Sequence, residues 1–240
     1  MNRSVIVLGL MLSLSISNAF SADCAYGLDS VVFSKGKVAV KNFLKKNPEY
    51  KTPDCLGKAL IESTKLQKNK ISHYLISLGA NVNFVQVAMS TTNATIEAIQ
   101  NQDLESLKLL GDAGADFNFY LESAGNYRNA LYATSTYQDS PVLVEYLLSK
   151  GANPNAMLFS CRNSSVLNEL IWRAGISNVY TADQLKIAQL LLENGANPNH
   201  KTKQCGDIRP LSILESAQEI AGRGGDNRML DLVISYGATN

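Results

Sequence analysis

The pentapeptide Gly-Ala-Asn-Pro-Asn occurs twice, at 151–155 and 195–199, each time behind a Leu-rich run, 142–150 and 186–194. Weaker copies stand at Gly79-Ala80-Asn81-Val82-Asn83 behind 75–78 and at Gly114-Ala115-Asp116-Phe117-Asn118 behind 107–113. Another stands at Gly237-Ala238-Thr239-Asn240 behind 229–236. The five glycines are spaced 35, 37, 44 and 42 residues apart, which predicts one unit of about 33 residues carrying insertions of varied size. A single unit of this kind cannot bury its apolar face alone. The chain must therefore stack its copies, and the repeat decides the architecture ahead of any local detail.

A large apolar residue lies four positions before each glycine: Leu75, Leu110, Leu147, Leu191 and Val233. Position −3 is apolar in four of five, with Gly111 the exception. A helix that ends on a left-handed residue explains the glycine, which reaches positive φ without a Cβ clash. The Asn or Asp two residues later suits the turn that follows.

The segments 143–155 and 185–199 resemble the second helix and turn of the ankyrin repeat. In that family a first helix lies upstream in each unit, often opened by Thr-Pro. Thr52-Pro53 followed by 55–64 fits that place. So does Arg209-Pro210-Leu211 followed by 212–220, with the Thr replaced. The segments 129–134, 94–100 and 166–172 fit more loosely, and the family's Thr-Pro-Leu-His-x-Ala motif is intact nowhere. A further N-terminal unit is read at 38–46, with Phe43 at the −4 position and Asn47 where the glycine would be. The resemblance implies an all-α ankyrin-repeat solenoid over 38–240, built of five to six degenerate helix-turn-helix units with short β-like finger loops.

Residues 1–19 read as a secretory signal. Arg3 provides the positive start, 5–16 an apolar run too short to span a bilayer, and Ser17-Asn18-Ala19 a small-residue cleavage site. Cleavage after Ser21 (Ala19-Phe20-Ser21) fits nearly as well, with residue 22 the latest position considered. Cys24 lies just beyond the apolar run, but Asp23 before it is a poor fit to lipoprotein processing, so a soluble exported protein is expected. Residues 20–37 form an N-terminal segment ahead of the repeats, and no later apolar run is long enough to cross a membrane.

Four cysteines in an exported chain point to disulfides. Cys161 and Cys205 each lie ten residues past a repeat glycine, Gly151 and Gly195, and so hold the same place in neighbouring units. Units stack roughly 10 Å apart, so this bridge requires the two long loops to lean together. The remaining pair, Cys24 with Cys55, would tie the N-terminal segment to the first clear unit. No Cys-x-x-Cys and no Cys/His cluster is present, with His73 in a helix and His200 in a loop, so no metal site is expected.

The net charge is +1, unevenly placed. Residues 35–70 carry ten lysines against Glu49, Asp54 and Glu62, whereas 71–240 carries 11 basic and 16 acidic residues. This basic end reads either as a contact for an acidic partner or anionic lipid surface, or as the solvated face that a terminal unit needs. Nucleic acid is not an expected partner, because no aromatic-basic motif accompanies the lysines.

The longest departures from a regular repeat are the finger loops 84–92, 119–128, 156–164 and 200–208. They carry Tyr120, Tyr127, Arg128, Phe159, Arg162, His200, Lys201 and Lys203, residue types that anchor interfaces. These eight are the candidate partner-binding residues; the competing reading is that Tyr120 and Phe159 cover neighbouring loops. Trp172, ending a first helix, is expected to pack in the stack. The glycine-rich run 222–227 lacks the Gly-Lys-Ser/Thr ending of a phosphate loop and reads as an interhelical turn. There is no Gly-x-Ser-x-Gly, no paired acid motif and only two histidines. No catalytic residues, cofactor or enzymatic activity are therefore expected. The resemblance implies a protein-binding module, monomeric when free, in the periplasm or beyond. Such exported ankyrin proteins include immunity proteins that neutralise secreted effectors and factors that support other envelope proteins.

Overall fold

The computed structural model describes residues 24, 27–87, 91–123, 126–158, 164–174, 179–203 and 210–239. Helices come in pairs: α1 (Leu28–Ser34) with α2 (Lys37–Lys46), α3 (Pro53–Lys65) with α4 (Asn69–Ser77), and α5 (Ala94–Gln100) with α6 (Leu104–Asp112). Next come α7 (Ala130–Ala133), prolonged by a π turn at Thr134–Gln138, with α8 (Pro141–Ser149), then α9 (Val166–Ala174) with α10 (Ala182–Glu193). The last pair is α11 (Ile213–Gly222) with α12 (Arg228–Ser235). First helices stack on first helices (α1 on α3, α3 on α5, α5 on α7, α9 on α11), giving an inner layer. Second helices stack likewise (α2 on α4, α4 on α6, α8 on α10, α10 on α12), giving an outer layer. Three antiparallel hairpins project between pairs: β1 (Leu121–Ser123) with β2 (Asn126–Arg128), β3 (Met157–Leu158) with β4 (Ser164–Ser165), and β5 (Lys201–Lys203) with β6 (Pro210–Ser212).

Beyond α1, first helices start where a side chain accepts a free N-terminal amide. Thr52 accepts from the Cys55 amide, Asn93 from Ile96, Asn129 from Tyr132, Ser165 from Asn168 and Ser212 from Glu215. Each such cap is worth about 1 kcal/mol. The capping side chain recurs even though the Thr-Pro dipeptide does not. The helix read at 212–220 is α11, opened by Ser212 rather than by a Thr-Pro-like pair at 209–210. Pro210 lies in β6 opposite Lys203, and the helix opens after Ser212 in a reciprocal box with Glu215.

Second helices end on the repeat glycines. Gly79, Gly114, Gly151, Gly195 and Gly237 all have φ between 84° and 88°. In each, the following alanine amide reaches back to the −4 residue's carbonyl, as Ala152 does to Leu147 at 3.0 Å. The glycine amide bonds the −3 carbonyl, as Gly151 does to Leu148 at 3.0 Å. This is the Schellman motif, whose hydrophobic contact joins the alanine to the −4 residue. It explains the recurring Gly-Ala and the fully buried Leu75, Leu110, Leu147, Leu191 and Val233. Gly111 breaks the −3 pattern because Tyr146 of α8 occupies the space. A Cβ there would collide with the Tyr146 hydroxyl and press on the Phe117 ring.

At the N-terminal end, Asn47 has φ −127°, not a left-handed value, and the buried residue is Leu44 rather than Phe43. Pro48 follows Asn47, restricts its backbone and turns the chain into a 3-10 turn at Pro48–Lys51. Within the segment read as preceding the repeats, α1 supplies a first helix for this pair, burying Leu28 and Val32. Three links hold it: the Cys24–Cys55 disulfide, with Cα atoms 5.3 Å apart, the Lys58–Asp29 ion pair at 3.0 Å, and Lys68. The Lys68 ammonium donates to the carbonyls of Val32 and Phe33 at 2.6 and 2.7 Å, sitting where the helix dipole is negative. Cys161 and Cys205 lie outside the described residues.

Candidate binding face

The side chain that sets one unit against the next is the second Asn of each turn. Asn155 accepts from the Asn197 amide at 2.7 Å and donates to the Gly195 carbonyl at 2.8 Å, both in the next turn. Asn83 does the same for Asp116 and Gly114, Asn118 for Asn153 and Gly151, and Asn199 for Thr239 and Gly237. The first Asn or Asp of each turn holds this side chain in place by accepting the second Asn's amide, as Asn153 does from Asn155 at 2.9 Å. The result is a ladder along one edge of the stack. The amide of Asn81, which has no such turn before it, bonds the Pro53 carbonyl instead, at 2.8 Å.

This edge sets the spacing of the fingers. β2 lies beside β3 and β4 beside β5, and the first finger closes through a bridge between Gln86 and Thr92. Tyr120 precedes β1 and is 42% exposed. Tyr127 and Arg128 stand on β2, opposite Glu122 and Leu121. Lys201 opens β5 opposite Ser212, Lys203 closes it opposite Pro210, and His200 precedes it, half-buried. Phe159 and Arg162 lie outside the described residues. The second and fourth fingers thus carry candidates on either side of the third.

Between the fingers and the inner helices, the structure adds residues that the sequence reading assigned differently. Trp172 was expected to pack in the stack but is 43% exposed. The reason is helical phase. Val166, Leu167, Leu170 and Ile171 are fully buried, which turns Glu169, Trp172 and Arg173 to the opposite face of α9. Counting from the caps Asn93, Ser165 and Ser212, the seventh residue is Gln100, Trp172 and Glu219, all exposed. The fourth is Glu97 and Glu169 in the first two of these units. The wheel of 166–171 is the signal that locates Trp172. Arg173 is anchored to the preceding unit, donating to the Ser135 carbonyl at 2.7 Å and pairing with Asp139 at 3.4 Å. Asp139 is left-handed (φ 44°) and also accepts from Gln184 at 3.1 Å, so it ties α9 and α10 to the π turn.

On the outer side a shallow groove of about 360 Å³ runs between α10 and α12, lined by Leu185, Lys186, Gln189, Arg228 and Leu232 among others. At its rim the Arg228 guanidinium, then the Arg228 backbone amide, bond Asp226 and hold its carboxyl down to about 2. The 222–227 run forms the interhelical turn, with Gly224 at φ 80°. Among the described residues no group of three His, Cys, Asp or Glu could hold a metal ion. No described helix is long and apolar enough to cross a membrane.

Paired helices in two layers, Schellman turns and hairpin fingers define an all-α ankyrin-repeat solenoid. A crystal structure of an ankyrin repeat domain from Acinetobacter baumannii AYE is similar to it, with a TM-score of 0.68 and 23% identity. The match covers 89% of this chain and 99% of that one. No protein-family model and no curated protein sequence matches the chain.

Proposed function

We propose that this chain is a non-enzymatic binding module that grips another protein between its fingers and inner helices. The observation that carries the reading is Trp172, a large aromatic held 43% exposed on a rigid inner helix. Burying such a side chain against a partner typically dominates an interface. Glu169 on the same face of α9, with Glu97 and Glu219 on other first helices of the stack, favours a partner that presents an apolar knob with a basic rim. The leader-like residues 1–19 and the Cys24–Cys55 bridge support residence in the periplasm or beyond, where disulfides persist. In that compartment the role that best fits a small rigid binder is an inhibitor or immunity-type protein that sequesters a secreted effector. The alternative is a scaffold or stress-protection factor for another envelope protein, favoured by the lysine-rich first units; a secreted protein that meets host targets is the third reading.

The test is affinity capture on the oxidised chain from Phe20 onward, run in parallel with Trp172→Ala. A single stoichiometric partner that resists high salt, and whose affinity falls at least about 30-fold with Trp172→Ala, is expected. A partner held equally by both proteins would refute the inner-face reading. Several proteins released by salt would replace sequestration with the scaffold role.

A further inference from the structure

The first two helix pairs carry a surface that the inner-face reading does not use. Neither α2 nor α4 contains a carboxylate. Their outer side and the α1–α2 turn present Lys35, Lys41, Lys45, Lys46 and Lys70 exposed, with Lys37 half-buried. Lys37 and Lys41 flank the Tyr74 ring at 5.7 and 5.1 Å, which joins the two helices into one patch. Of the nearby acids, Asp29 pairs with Lys58 and Asp54 bonds Asn81, while Glu49 stands exposed in the turn after α2. Two large apolar side chains are exposed on either side of the α1–α2 turn. Phe33 is 64% and Val38 72% exposed, five residues apart across the α1–α2 turn. That turn is held by Lys68, whose ammonium also reaches the Lys35 carbonyl at 3.4 Å.

We infer that this lysine-rich face docks onto a membrane surface containing anionic phospholipid. Three observations select lipid over an acidic protein. All basic groups here are lysines, and no arginine occurs between Arg3 and Arg128. Protein interfaces enrich Arg and deplete Lys, whereas a charged bilayer attracts any cluster of four to eight basic residues. α2 packs directly on α4, so the lysines form one continuous face rather than isolated charges. Phe33 and Val38 supply the apolar insertion that a polybasic patch needs for stable anchoring. Docked this way, the molecule lies with α2 and α4 on the headgroups, and Trp172 and the fingers stay accessible to a protein partner.

The experiment measures partition of the chain from Phe20 onward, which contains every described residue, into vesicles of phosphatidylcholine with and without phosphatidylglycerol. Binding only to the anionic vesicles, weakening as salt rises, is expected. Lys41→Gln with Lys45→Gln lowers the partition coefficient about 30-fold, while Lys108→Gln with Lys186→Gln, which removes equal charge from α6 and α10, leaves it within about threefold. Phe33→Ser with Val38→Ser also weakens binding at unchanged net charge. All these side chains are on the surface, and circular dichroism checks that the variants remain folded. Absence of binding to anionic vesicles overturns the inference, as does equal loss in the two lysine pairs. Binding that ignores the Phe33 and Val38 changes and is abolished by polyglutamate overturns it in favour of an acidic polypeptide.

Discussion

Replacing Asn155 with alanine removes the rung that joins the fourth and fifth helix pairs. Two hydrogen bonds go, from the Asn197 amide at 2.7 Å and to the Gly195 carbonyl at 2.8 Å. A neutral hydrogen bond contributes about 0.5–1.5 kcal/mol net. Asn155 is exposed and its bonds lie at the surface, so water replaces part of the loss. The expected cost is about 1–2 kcal/mol, or a fall of about 3–6 °C in Tm for a chain of this size. Asn153→Ala provides the internal standard. It removes one local bond, from the Asn155 amide at 2.9 Å, and should cost about half as much. Urea denaturation followed by circular dichroism gives both values. Amide hydrogen exchange locates the effect: Asn155→Ala should unprotect the Asn197 amide and leave those of Asn153 and Thr239 protected, because each depends on its own rung. Equal costs for Asn153→Ala and Asn155→Ala, or an unchanged Asn197 amide, would refute the ladder as the link between units.

Gln67 stands at φ 53° in the α3–α4 turn, a conformation that costs an L-residue about 1–2 kcal/mol. Gln67→Gly relieves this against some added unfolded-chain entropy, and thermal denaturation should show a net gain of about 0.5–1 kcal/mol. At Gly57 the opposite holds, because a Cβ would come within 2.6 Å of the Asn81 carbonyl oxygen, so Gly57→Ala should lose about 1–3 kcal/mol in the same assay. Asp226 has a folded pKa of about 2, below the roughly 3.9 of an unfolded aspartate. Its stabilising contribution is therefore complete above about pH 4 and lost as pH falls towards about 2. Acid titrations of wild type and Asp226→Asn should differ by a constant amount at neutral pH and converge across that window.

The glycines, the −4 leucines and the extent of α5 were legible in the sequence because local backbone physics sets them. A left-handed end demands glycine, and 94–100 has the required apolar phase. The ladder was not legible as such. Each second Asn reads as turn chemistry until the stack places it against a turn more than thirty residues away. α1 escaped notice because seven residues carry too little periodicity, and its stability comes from Lys68, Lys58 and Cys55 further along the chain. Of the eight candidate contact residues, the structure places Tyr120, His200 and Lys201 with their side chains and gives the strand positions of Tyr127, Arg128 and Lys203. Trp172 was assigned to packing because aromatic residues usually bury; its position one step past Ile171 on the wheel decides otherwise.

Along the ladder edge, each unit from the second onward meets the next through the same peptide grip, whatever length of chain separates them. The spacing from one glycine to the next ranges from 35 to 44 residues, yet Asn83, Asn118, Asn155 and Asn199 each find their partner. Extra residues inserted in a finger are therefore spent on that side alone, and the pitch of the helices is restored at the following turn. Fingers can be lengthened, shortened or exchanged independently, so the surface that selects a partner is free to change while the alignment of the stack stays fixed.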